Sequence, residues 1–203
     1  MSVSAKLFNR LLLERLKSGL EHRLRPNQNG FRPLRSTTQM ILSTHILFQE
    51  ALEKHYPLIA IFFYFSKAFD TIRWDMMKLV LLAYNIPDLI VNAIFSLYTP
   101  NSTTMVSTSY GKSDPIHIYS GVLQGDTLAP YLFVIMMDYV MRIAIPDSSL
   151  GFLISPKSKS NSGRVTRSSV AAALTSDIFI TDLLFADDVV LFPFLSRKFP
   201  KSI

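Results

Sequence analysis

Leu7, Leu11, Leu12, Leu16 and Leu20 fall at helical spacing, with basic residues between them, and predict a helix over residues 3–24. Pro26-Asn-Gln-Asn-Gly30 breaks that pattern. A second helix is expected to start at Ser36 or Thr37, either of which can cap it, and to carry Met40, Ile41, Leu47, Phe48 and Leu52 as far as about Lys54, before Pro57. Residues 58–65 form a short run of bulky apolar and β-forming side chains, which predicts a strand buried on both faces. Helices are expected over 75–84 and 88–98, each opening on an acid suited to capping, with Asn85-Ile86-Pro87 between them. Residues 103–109 and 115–119 read as a hairpin around Gly111. The helix after Asp126 holds Pro130 in its first turn, where a missing N–H is harmless, and ends before Pro146. A further strand is expected at 151–155. With no internal repeat, this order is an α+β fold, an antiparallel sheet backed by helices.

One pair of residues breaks the last apolar segment. Asp187 and Asp188 stand side by side within 178–192, among β-branched and aromatic residues. Two adjacent carboxylates repel and resist burial, so such a pair persists in a solvated turn or around a divalent cation. Two such cations held ~3.5–4 Å apart clamp the attacking and leaving oxygens of phosphoryl transfer. An antiparallel sheet can bring the pair beside the end of the 58–65 strand, the adjacency a two-metal site needs.

Composition narrows the chemistry further. The 203 residues include no cysteine, which excludes disulfides, thiolate zinc sites and cysteine nucleophiles. His22, His45, His55 and His117 lack zinc-ligand spacing. Most of the +6 net charge lies at the start: Lys6, Arg10, Arg15, Lys17, Arg23, Arg25, Arg32 and Arg35 face only Glu14 and Glu21. That imbalance suits a phosphate-rich partner as well as a solvated helix face. Residues 155–169 carry Lys157, Lys159, Arg164 and Arg167 among serines with no acid, and are expected to be a mobile basic loop. The most apolar helix includes Asp138 and Arg142, costly in lipid, and no leader pattern precedes Lys6, so the expectation is an intracellular protein, neither membrane-spanning nor secreted.

Four segments, taken in order, carry a resemblance: Pro26-Asn-Gln-Asn-Gly-Phe-Arg-Pro-Leu-Arg-Ser-Thr-Thr38, Phe65-Ser-Lys-Ala-Phe-Asp-Thr-Ile72, Gly121-Val-Leu-Gln-Gly-Asp-Thr-Leu-Ala-Pro130 and Phe185-Ala-Asp-Asp188. Together they resemble the reverse transcriptase of non-LTR, LINE-like retrotransposons. The resemblance implies a right-hand polymerase: a basic, helical fingers-like segment over 1–57, a palm over 58–192 with the metal-site hairpin, and an unstructured tail over 193–203. It implies RNA-directed DNA polymerisation on an RNA template from a DNA primer with dNTP substrates and two Mg²⁺ ions. Asp187 and Asp188 then occupy the catalytic metal position, and Phe69 the steric gate under the sugar. Gln124 and Gly125 support the incoming nucleotide and template, and Arg32 and Arg35 contact triphosphate or template backbone. Asp126 reads as a helix cap.

One position departs from the family. The strand before Phe65 ends, in the family, on an aspartate that ligates both metals, and here that residue is Tyr64. A phenol is neutral at pH 7 and a poor magnesium ligand. Asp70 lies beyond the strand end and reads as a cap or turn residue, and Asp182 is expected one strand-length away on the opposite face. The tail after Phe192 does not resemble the family's continuation, so the thumb is expected to be absent, and nothing at the start leaves room for an endonuclease. The expectation is a reverse transcriptase with impaired catalysis; the alternative is a non-catalytic nucleic-acid-binding remnant.

Overall fold

The computed structural model describes residues 2–99, 102–123, 125–154 and 177–193; Gln124, the basic stretch 155–169 and the tail beyond 193 lie outside the described residues. The chain is a mixture of helices and small antiparallel sheets, α+β as the periodicities require. It divides into two compact units, one of residues 1–26 and 65–140, the other of 27–64 and 141–203.

The first unit is mainly helical. Helix α1 (Val3–Leu20) is capped by the Ser2 hydroxyl and buries Leu12, Leu13, Leu16 and Leu20, leaving Lys6, Arg10 and Arg15 exposed. Helices α3 (Trp74–Ala83) and α4 (Asp88–Phe95) add Met77, Val80, Leu81, Val91 and Ile94 to the core. The acids at 75 and 88 do not cap these helices as expected. The N-cap residues are Arg73 and Pro87, and the acids sit within the first turn, where a negative charge favours the exposed N–H groups without bonding one as a cap. Between α4 and the next helix lie two nested strand pairs: β2 (Thr103–Thr104) with β5 (Ile116–His117), and β3 (Ser107–Thr108) with β4 (Gly111–Lys112). The inner pair turns at Ser109 and Tyr110, and Gly111, the expected centre of the hairpin, opens β4 at φ 133. In helix α5 (Ala129–Ala144), Leu132, Val134 and Ile135 are fully enclosed. Its Asp138, also buried, accepts hydrogen bonds from the Arg25 N–H at 2.7 Å and from the Tyr84 hydroxyl.

The second unit holds helix α2 (Thr37–Lys54) and a three-stranded sheet ordered β1 (Ile61–Phe63), β9 (Asp188–Leu191), β8 (Asp182–Phe185), antiparallel throughout. Strands β6 (Phe152–Ile154) and β7 (Ile178–Ile180) pair separately. Leu47 and Ala51 of α2 pack with Phe152, Ile154, Leu183, Val190 and Phe192. Strand β1 is shorter than expected and is not buried on both faces: Phe62 is 74% exposed. As the edge strand it has a neighbour on one side only, so a continuous apolar run here does not mean enclosure.

Candidate active site

Each unit brings together two of the four motif segments. In the second, β8 and β9 form a tight hairpin whose turn is Ala186 and Asp187. Asp187 is half-buried and Asp188, the first residue of β9, is exposed. The register pairs Phe62 with Val190 and Phe63 with Val189. One step further along that register, Tyr64 stands opposite Asp188, and the alternation of side chains puts Tyr64, Asp188 and Phe185 on one face. That face and the first turn of α2 enclose a groove of about 480 Å³, with Thr37, Met40 and Ile41 on one wall and Phe62, Tyr64, Phe185 and Asp188 on the other. Tyr64 is 86% exposed within it. Asp182 is fully buried at the far end of the hairpin, opposite Leu191 and on the other face, accepting from the Asn27 amide at 3.2 Å and from the Thr181 hydroxyl. Among the described residues no group of three or more His, Asp or Glu side chains converges.

The motif from Pro26 to Thr38 lies against this hairpin. Residues 27–29 run parallel to β8: the Leu184 N–H donates to the Asn27 carbonyl at 3.0 Å and the Asn29 N–H to the Leu184 carbonyl at 2.8 Å. Arg32 is buried and donates to the Gln28 carbonyl at 2.9 Å. Arg35 is exposed and reaches the Asn29 side-chain oxygen at 3.3 Å. Sequence reasoning singled out the two arginines here and passed over Gln28, although its place two residues before a glycine was the available signal.

The first unit joins the other two segments. The Val122 N–H donates to the Phe69 carbonyl at 3.0 Å, the Gly121 N–H to the Ile72 carbonyl at 2.8 Å and the Trp74 indole to the Gly121 carbonyl at 2.7 Å. Gly121 has φ 89, and a side chain there would meet the Asp70 backbone at 3.0 Å, so only glycine fits. Asp70 lies in a turn and takes the Ser120 hydroxyl on its carbonyl. Phe69 stacks on Phe133 at 4.2 Å and, with Val122, Gly125 and Asp126, lines a cavity of about 230 Å³. Gly125 is left-handed at φ 79. Asp126 is buried, and its Oδ1 accepts the Leu128 N–H at 3.2 Å in a turn ahead of α5. It is not the cap expected: Leu128, whose carbonyl accepts the Leu132 N–H at 3.1 Å, directly precedes the first helical residue. The Asp126 Oδ1 also accepts the Asn9 amide of α1 at 2.8 Å, a partner no local pattern reveals. Burial, with the nearby Asp126 charge adding to it, pushes the Tyr98 phenol up to about 12.

Two motif pairs, knitted by backbone hydrogen bonds across long sequence separations, meet the pattern of one enzyme family, whose profile, described as reverse transcriptase (RNA-dependent DNA polymerase), matches residues 1–193. The chain belongs to the reverse transcriptase family. Two relatives from Popillia japonica, each named a retrovirus-related Pol polyprotein from type-1 retrotransposable element R2, are 28% identical, one over 142 residues and the other over 137. These matches cover 69% and 68% of this chain. They span 19% of each relative, so this reverse transcriptase chain corresponds to about a fifth of those polyproteins. The non-LTR character read from the four motifs agrees with both. No described helix is long and apolar enough to cross a membrane.

Proposed function

We propose that this chain carries the fingers and palm portion of an RNA-directed DNA polymerase of the non-LTR type, intracellular, and that its own polymerisation is impaired at Tyr64. The fingers-like segment is 1–57 and the palm 58–192. The carrying observation is the strand register that sets Tyr64 opposite Asp188. Two magnesium ions sharing one site need a bridging anionic oxygen as well as the hairpin pair. The chain offers Asp187, Asp188 and, where a third carboxylate is needed, the Tyr64 side chain, a donor set that does not fit two such ions. In this reading Phe69 and Gly125, which line one cavity, take the sugar and base of a dNTP, with Gln124 beside Gly125 in sequence, and the exposed Arg35 takes phosphate, which a guanidinium binds bidentately. Arg32, also assigned to phosphate by the motif, supports that segment from within through Gln28.

Primer extension tests this reading. With an RNA template, DNA primer, dNTPs and Mg²⁺, the purified chain is expected to extend nothing. Tyr64→Asp, in the chain fused to the following segment of a Popillia japonica relative, is expected to extend the primer. Extension by the unaltered chain overturns the impairment, and no extension in the fused variant overturns the polymerase assignment of this site.

A second reading, binding of an RNA–DNA duplex without catalysis, is favoured by α1, which buries one apolar face and exposes Lys6, Arg10 and Arg15.

A further inference from the structure

Ala186, at the tip of the hairpin, has φ 57. The left-handed region is unfavourable for a residue with a Cβ, and it persists only where surrounding structure enforces it. A two-residue hairpin turn calls for such a conformation, and here one side chain grips the residue that adopts it. Gln28 is 1% exposed, and its amide faces Ala186 with both ends: Oε1 accepts the Ala186 N–H at 3.0 Å, and Nε2 donates to the Ala186 carbonyl at 3.2 Å. The same Oε1 also accepts the Gly30 N–H at 2.8 Å, which locks the amide's orientation.

Gly30 completes the fit. A Cβ there would lie 2.3 Å from the Ala186 nitrogen and 2.9 Å from its Cα, closer than backbone atoms allow. The spacing Gln-x-Gly in the first motif thus matches a physical requirement: an amide to grip the turn, and an absent side chain so that the grip can close. Buried Arg32 holds the Gln28 carbonyl from behind.

We infer that Gln28 is the positioning residue of the carboxylate hairpin: it clamps Ala186 in its left-handed conformation and so sets the directions in which Asp187 and Asp188 present their oxygens. The hydrogen bonds carry the clamp itself; its consequence for cation binding rests on the functional reading above. Gln28 touches no reacting atom in this account and acts through the turn.

Two measurements on the full chain separate the clamp from that reading. Gln28→Met is close in shape and cannot hydrogen-bond. Hydrogen exchange at the Ala186 amide should accelerate about tenfold or more in this variant, while the Phe192 amide, bonded to the Thr181 carbonyl at 2.8 Å, stays within about threefold. Equal acceleration at both amides, or none at Ala186, overturns the clamp. If Gln28→Met does not fold, Gln28→Glu carries the test. It keeps the acceptor and loses the donor, so the Ala186 amide should stay protected while the Ala186 carbonyl carbon resonance moves; an unmoved resonance overturns the clamp.

The second measurement is Mn²⁺ titration followed by paramagnetic broadening of the Asp187 and Asp188 resonances in Tyr64→Asp. Adding Gln28→Met, or Gln28→Glu if the former does not fold, should weaken Mn²⁺ binding about tenfold, the scale of losing a residue that orients metal ligands. Unchanged affinity overturns the positioning role. Absence of Mn²⁺ binding in Tyr64→Asp itself overturns the metal-site reading and leaves the clamp to the exchange result.

Discussion

Tyr98 is buried, its ring edge-on to Trp74 at 5.8 Å, and that burial, reinforced by the Asp126 charge, keeps its phenol neutral up to about pH 12. In the unfolded chain the same group ionises near pH ~10. The folded state therefore holds a proton that the unfolded state loses between those values. The stabilisation is complete below about pH 10 and is lost as pH rises through about 12, a change of roughly 2–3 kcal/mol. Urea midpoints measured up to about pH 11.5 should fall more steeply for the parent than for Tyr98→Phe; parallel declines would show that Tyr98 does not contribute. Single residues were unevenly legible. Tyr64 stood out because four motifs fix its position, whereas Asp126, which reads as a cap, bonds the Leu128 N–H ahead of the helix and the distant Asn9 amide. The burial of Arg32 was not legible, since an arginine between Phe31 and Pro33 reads as surface until the carbonyl it serves is known.

Helix α2 shows how far local chemistry carries an element. Ser36 accepts the Gln39 N–H at 3.3 Å, and the Gln39 side chain accepts the Ser36 N–H at 3.1 Å, a reciprocal capping box at the boundary read from the sequence. Because Thr37, Met40 and Ile41 of this first turn wall the groove beside Tyr64 and Asp188, fraying there would reshape the groove. Ser36→Ala is expected to cost about 0.5–2 kcal/mol in chemical denaturation, and no loss would mean that the cap is redundant. Strand β1 shows the opposite limit. Its β-forming composition predicted a strand correctly, but burial depends on how many neighbours a strand acquires, and an edge position is a property of the sheet.

For the whole molecule the net charge of +6 and its concentration in the first 35 residues are the features that bear on partners. If α1 and the neighbouring basic residues contact phosphates, affinity for an RNA–DNA duplex must fall steeply with salt through counterion release. With about six phosphates contacted, raising salt from about 50 to 200 mM should weaken binding roughly a thousandfold, measured by fluorescence anisotropy. A flat salt dependence, or no binding at low salt, would remove the basic surface as an interface.

Four ordered motifs make the family readable from the amino acids alone, and apolar spacing marks the main helices, with the Ser36 cap of α2, because these signals act within a few residues of one another. The sequence also exposed the departure at Tyr64. Tertiary structure decided which residues meet: Asn9 with Asp126, the register that faces Tyr64 with Asp188, and the grip of Gln28 on Ala186 across 158 positions of chain. Those pairings depend on strand register and backbone approach between distant segments, and no local periodicity records them.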